Sequence, residues 1–295
     1  MVAATGFFDG VHKGHREVIS MLCELAKERG EKSAIISFWP HPRSVLQQEA
    51  YNLRLLNSLE EKKKLIKGLG VDEFITIPFN KDFSKNTTEV FLRDFLKEKY
   101  GVTTLIIGYD HRFGHDKVSQ EEMIKIANGI GIEVIRVDEF VLQNKVISST
   151  KIRNLLTEGD IEGANIFLGY KYSLTGVVVA GERIGRTIGF PTANIKLYEP
   201  LKVVPADGVY LVEVELLDKR YVGISNIGVR PTIGEHNEKT IEVHILNFDE
   251  DIYGLDITIS FVKCIRNEKK FASLGELKKQ LEVDKRVALD YLQTK

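Results

Sequence analysis

Gly6 to Arg16 reads GFFDGVHKGHR and gathers more chemistry than any other stretch of the chain. The short apolar run before it, Val2 to Thr5, suits one buried strand. The segment after it carries Val18, Met21, Leu22, Leu25 and Ala26 at helical spacing. A strand, a glycine-bearing turn and a helix N-terminus bring backbone N–H groups and the positive end of a helix dipole together. That makes an anion site before any side chain is counted. His12 and His15 add donors there, and Gly14 leaves room for a close backbone approach. The chain has 7 His and 24 Gly in 295 residues. At that composition a histidine-x-glycine-histidine string arises by chance roughly 0.01 times, and its place between strand and helix sharpens the signal. The plain alternative is a pair of capping or surface histidines. The functional reading is a nucleotide α-phosphate site, where imidazoles donate to non-bridging oxygens during nucleotidyl transfer. Losing one such donor costs on the order of 10²–10³ in rate.

Three other groups can do chemistry. Ile147 to Arg153 reads ISSTKIR. Ser149, Thr150 and Arg153 fall at a predicted helix start, where hydroxyls and a guanidinium suit phosphate. An ordinary N-cap with a surface arginine is the alternative. Gly181 to Ile195 reads GERIGRTIGFPTANI. Its glycines Gly181, Gly185 and Gly189 recur every four residues with Arg183 and Arg186 between them, a loop able to lay amides against phosphates. Thr192 and Asn194 share a face if they lie on a strand. Their neutral oxygens suit a magnesium ion that keeps water and phosphate ligands. A plain turn is the alternative. Glu242 lies in TIEVHIL with His244 on the same strand face; it is a candidate base for a substrate hydroxyl, or a solvent-facing edge residue.

Residues 1 to about 140 alternate strand and helix. Strands are predicted at Ser33 to Phe38, Glu73 to Ile77, Leu105 to Ile107 and Glu133 to Val137. Helices are predicted from Ser58, with Glu61 completing a capping box, over Thr88 to Tyr100 and over Gln120 to Ile130. That pattern specifies a doubly wound parallel α/β (Rossmann-like) domain, whose ligands sit off the carboxyl ends of the strands. After a short helix, Asp160 to Leu168, the rhythm changes to strands: Tyr172 to Val179, Gly208 to Leu216, Tyr221 to Ile227, Thr240 to Leu246 and Asp256 to Lys263. These predict a small antiparallel barrel or sandwich, closed by a helix from Ser273. The expected domains are 1–165 and 166–295.

Net charge is −1 and 43% of residues are hydrophobic. No global field recruits nucleic acid or anionic membrane, and packed cores are expected. Lys62, Lys63 and Lys64 read as a solvated helix face. Cys23 and Cys264, far apart and without metal spacing, read as buried thiols in a reducing compartment. No apolar run reaches the ~18 residues of a membrane span. A cytoplasmic protein is expected, with a homo-oligomer left open.

GFFDGVHKGH, SFWPHPR, GYDHRFG and ISSTKIR, in that order, closely resemble the adenylyltransferase module of bacterial bifunctional riboflavin kinase/FAD synthetases. GRTIGFPTANI, ADGVY, SNIGVRPTIG, EVHILNFDEDIYG and RNEKKF resemble the riboflavin kinase module of the same family. The first resemblance implies that ATP binds at Gly6, Phe7, Asp9, Gly14, Ser149, Thr150 and Arg153, and that His12 and His15 stabilise the transferring phosphate. It also implies that Phe38, Asp110 and Phe113 meet FMN. The second implies that Thr192 and Asn194 hold the magnesium of Mg·ATP over the Gly181–Gly189 loop, with Glu242 as base. The expected small molecules are riboflavin, FMN, FAD and ATP. Two features depart from the family pattern: His111 stands where an aromatic residue is usual, and the leader before the first strand is short. A monofunctional FAD synthetase with a weak or silent kinase module and a non-catalytic flavin sensor are the rival readings; both catalytic sets being present weighs against them. Fold kinship also extends to class I aminoacyl-tRNA synthetases, but their second, lysine-rich signature is missing here.

Overall fold

The computed structural model describes residues 1–46, 53–108, 114–116, 118–137, 141–142, 145–181, 185, 188–229 and 239–293. It separates into two compact units, Met1–Ser149 and Thr150–Lys295.

In the first unit, five parallel strands run β1 (Val2–Thr5), β2 (Ser33–Trp39), β3 (Glu73–Pro78), β4 (Thr104–Gly108) and β5 (Glu133–Val137), in spatial order β3-β2-β1-β4-β5. Val2 sits level with Ser33 on one side and Thr104 on the other, so β1 is the centre of the sheet. Its four residues are all buried. Alternate side chains supply the two faces of the sheet. Ala3, Ala34, Ile36, Leu105 and Ile107 pack under Phe91, Leu92 and Met123. Val2, Ala4, Ile35 and Ile106 pack under Ile19, Leu22 and Ile66. The order reverses at β1, and ligands of such sheets bind at that reversal, outside the strand carboxyl ends. The GFFDGVHKGHR turn leaves β1 at that point.

The helices follow local signals. Lys13–Arg29 ends at Gly30, whose φ of 64° is the left-handed conformation glycine adopts cheaply. Leu59–Lys67 starts at Ser58 with the expected reciprocal capping box to Glu61. The predicted Thr88 to Tyr100 helix is an α-turn, Thr88–Val90, that continues as a π-helix, Phe91–Lys99. One expectation of burial is reversed and another is only partly met. Lys62 is fully buried although its neighbours Lys63 and Lys64 are exposed. Cys23 and Cys264 are free but only half-buried. A two-stranded ribbon, β6 (Val141–Leu142) and β7 (Lys145–Val146), completes this unit.

The second unit carries the Ser149–Glu158 helix from Thr150 onward, the Ile161–Leu168 helix, and then six strands. They are β8 (Ser173–Val179), β9 (Ala193–Leu197), β10 (Gly208–Leu216), β11 (Lys219–Val229), β12 (Lys239–Ile245) and β13 (Asp256–Asn267). They close as β10-β11-β12-β9-β8-β13, so the barrel alternative holds over the sandwich. The strand missing from the periodicity is β9, which is short and follows a proline and several glycines. The final helix, Leu274–Gln293, starts as Ser273 accepts the Glu276 N–H, while Glu276 reaches back to the Ala272 N–H rather than to Ser273. It buries Ala288 and Asp284.

Candidate active sites

The turn after β1 is strained and enclosed. Phe8 and Val11 hold φ of 52° and 35°, costly for residues with a Cβ, and Gly10 holds 86°. Phe8 and Val11 are also core residues, so packing holds the strain in place. Asp9 is buried, and its carboxylate accepts backbone N–H groups of Leu56 at 3.0 Å and Asn57 at 3.2 Å. That fastens the turn to the segment entering the Leu59–Lys67 helix. Gly6 faces the Phe8 ring, where a Cβ would come within 3.1 Å.

His12 caps the Lys13–Arg29 helix: its Nδ1 accepts the His15 N–H at 3.3 Å. An accepting Nδ1 leaves Nε2 as the protonated nitrogen of the neutral ring, a donor. Gly14 lies on the helix turn between them. The two imidazoles stack at 3.6 Å and 14°, and Phe8 meets His15 edge-on at 5.2 Å. Burial, then the charges of His12 and Lys62, hold the His15 pKa well below the usual histidine range. Its buried Nδ1 has no hydrogen-bond partner among the described residues. The result is a stacked imidazole pair at a helix N-terminus, with His15 held neutral, placed where it can meet a phosphate oxygen.

Phe7 stacks on Trp39 at 6.2 Å and meets His41 edge-on at 4.1 Å, so the first and second motifs are in contact. The fourth motif arrives as well: Ser149 Oγ donates to the Asp9 carbonyl at 2.8 Å. Thr150 and Arg153 follow on the Ser149–Glu158 helix. Phe38 packs among Phe79, Phe83 and Phe91 at 5.9–6.1 Å, a place in the aromatic core. Asp110, His111 and Phe113 lie outside the described residues.

In the barrel, β12 pairs Glu242 with Asn194 of β9. Thr192 Oγ1 donates to Glu242 Oε2 at 3.1 Å. Gly181 backs onto Asn194, where a Cβ would lie 2.1 Å from the amide nitrogen. Gly189 turns with φ of 86°, while Arg183 and Arg186 lie outside the described residues. Thr192 and Glu242 line a cavity of about 270 Å³ together with Asn226, His244, Arg266 and Phe271. Thr192 also borders a smaller cavity of about 80 Å³, lined by Val178, Phe248 and Tyr253.

Sequence reasoning gave no role to Asn226 or Arg266, because single polar residues on strands carry no spacing signal. Arg266 is held by a paired grip on the buried Asp284, with Nε at 3.1 Å and Nη2 at 2.9 Å, and Gln280 adds a bond at 2.9 Å. His244 pairs a ring nitrogen with the Pro191 carbonyl at 2.8 Å, and burial pushes its pKa down.

Family comparison divides the chain as the fold does. Residues 1–151 match the FAD synthetase family and residues 168–292 the riboflavin kinase family. The bifunctional riboflavin kinase/FMN adenylyltransferase of Bacillus subtilis is 37% identical over 293 residues, covering 98% of this chain and 92% of that protein. The chain belongs to this bifunctional family. Its Escherichia coli K12 member is 36% identical over 292 residues, with 98% of this chain and 92% of that protein covered. A crystal structure described as a macrolide-efflux protein from Streptococcus pneumoniae superposes with a TM-score of 0.90 at 31% identity, covering 97% of this chain and 93% of that one. Among the described residues no helix is long and apolar enough to cross a membrane. The His12–His15 turn falls in the FAD synthetase match; Thr192, Glu242, Arg266 and Asp284 fall in the riboflavin kinase match.

Proposed function

We propose a division of labour between two sites for the two activities of this family. The protein phosphorylates riboflavin to FMN with ATP and adenylylates FMN to FAD, releasing pyrophosphate. The kinase reaction is assigned to 166–295 and the adenylyl transfer to 1–165. The reducing cytoplasm fits the two free thiols.

The observation that carries the first site is the stacked His12–His15 pair, whose buried Nδ1 on His15 awaits a partner. An oxygen of the FMN phosphate attacks the α-phosphorus of ATP, and the imidazoles meet the charge on the non-bridging oxygens. Ser149 anchors the fourth motif to the Asp9 carbonyl, and Thr150 and Arg153 are assigned to the ATP tail.

At the second site Glu242 takes the proton of the ribityl hydroxyl as its oxygen attacks the γ-phosphorus. The large cavity, lined by Phe271 and Arg266 and also by Gly185 of the glycine-rich loop, takes the flavin. Thr192 borders that cavity beside Glu242, which supports a role for it next to the transferred group. The donor set fits magnesium: Thr192 and Asn194 offer neutral oxygens beside Glu242. No group of three or more His, Cys, Asp or Glu able to hold a metal alone occurs among the described residues. Bound with ATP, the ion would neutralise phosphate charge.

The test follows both flavins in one preparation. His12→Ala should abolish FAD formation from FMN and spare FMN formation from riboflavin, and Glu242→Ala should do the reverse. Folded variants that lose both activities together would contradict two independent sites.

A further inference from the structure

The lysine run on the Leu59–Lys67 helix is not a uniform solvated face. Lys62 is 0% exposed. Its ammonium lies 3.3 Å from the centre of the Phe7 ring and 5.9 Å from that of Trp39. It has no hydrogen-bond acceptor among the described residues. A buried ammonium without an acceptor is unfavourable, and ring faces compensate only part of its lost hydration. Burial brings its pKa down to about 8, against the opposing charge of Asp9.

The fold holds this unfavourable group firmly. Asp9 binds the Leu56 and Asn57 amides, and Ser58 with Glu61 then fixes the start of the helix. The helix bearing Lys62 is thus fastened to the turn bearing His12 and His15. The same turn holds the buried, unpartnered Nδ1 of His15. Two orphaned polar atoms therefore flank one glycine-bearing turn at the carboxyl end of β1. One anionic oxygen would serve both, the His15 Nδ1 when that nitrogen carries the single proton of the neutral ring. The His15 ring is held neutral, so His15 brings a hydrogen bond and Lys62 brings charge.

We propose that Lys62 is a phosphate-contacting residue of the adenylyl-transfer site, its ammonium meeting an oxyanion of the reacting phosphates beside His15. This rests on the assignment of that site to the His12–His15 turn. In the reaction one oxygen of the FMN phosphate forms a bond to the α-phosphorus. The bond from that phosphorus to the β-bridging oxygen breaks, and its electron pair leaves with pyrophosphate. No proton or electron acceptor is needed, and a cation at the departing charge lowers the barrier.

The experiment compares Lys62→Met, Lys62→Arg and His12→Ala in the full chain, with FMN formation from riboflavin as the internal standard. Lys62→Met should keep FMN formation within about twofold of wild type and lower kcat/KM for FAD formation by about 100-fold or more. It should also raise the melting temperature of the N-terminal transition, because a methionine fills the aromatic site without a charge to bury. Lys62→Arg should recover at least about tenfold of the lost rate. Weakened ATP binding with unchanged FMN binding places the ammonium on the triphosphate; the converse places it on the FMN phosphate. FAD formation by Lys62→Met within about threefold of wild type, beside an inactive His12→Ala, overturns the proposal. So does a Lys62→Met variant that loses activity and melting temperature together while Lys62→Arg restores neither. If His12→Ala keeps making FAD, the site assignment itself fails, and that result is distinct from a failure of Lys62 alone.

Discussion

Asp9 reaches across 47 residues to accept the Leu56 backbone N–H at 3.0 Å. Removing a buried acceptor leaves its donors unsatisfied, at a cost of about 1–3 kcal/mol. Asp9→Ala should lower the melting temperature of the N-terminal unit and slow FAD formation, because the turn and the Leu59–Lys67 helix lose their fastening. Asp9→Asn keeps one acceptor oxygen and should retain most of the stability. Equal loss in both variants, read by thermal unfolding, would refute this.

Lys62 makes the stability of the same unit pH-dependent. Its folded pKa of about 8 lies below the ordinary lysine value. Between about pH 8 and 10.5 the unfolded chain therefore binds more protons, and stability attributable to Lys62 rises with pH. The full span corresponds to roughly 3 kcal/mol at 1.36 kcal/mol per pH unit. Asp9 faces this ammonium, and His15 and His12 lie on the neighbouring helix. The difference between wild type and Lys62→Met across that range, measured by denaturant unfolding, should shrink as pH rises. A constant difference would contradict the burial of a charged lysine.

Arg266 lines the larger barrel cavity, assigned above to the flavin, while its guanidinium is held by buried Asp284. Asp284→Ala leaves a partly buried charge uncompensated and should cost about 3–5 kcal/mol. The pair Arg266→Met with Asp284→Leu should recover much of that stability. It should still show a raised KM for riboflavin, because the cavity has lost its cation. Restored KM along with restored folding would make Arg266 a packing residue only.

Gly181 leaves no room for a side chain against Asn194. Gly181→Ala should push the amide off its place and raise the magnesium concentration for half-maximal FMN formation by about 10-fold or more. FAD formation from FMN should not change. An unaltered magnesium dependence would argue against Asn194 as a ligand.

Much of this was legible in the sequence because the signals are local. The strand–turn–helix around His12, the Ser58–Glu61 box and the alternation of β1 to β5 all read from neighbours within a few residues. What stayed hidden was set by partners far along the chain. Lys62 looks solvated beside Lys63 and Lys64, but its helix is fastened to the turn through Asp9 with Leu56 and Asn57, and its ammonium lies against Phe7. Asp284 looks like any charged helix residue until Arg266 of β13 is found opposite it. Strand β9 escaped because five residues flanked by turn formers carry little periodicity.

The barrel closes by pairing residues that are distant in sequence. Ser173 of β8 lies opposite Ser260 of β13, and Val177 opposite Asp256. Strand β13 also borders β10. Such non-local pairing makes folding slow, and it cannot finish until the last strand has left the ribosome. The parallel sheet needs nothing beyond β5. A growing chain can therefore complete its adenylylating half first, although that half works second: the order of birth reverses the order of chemistry.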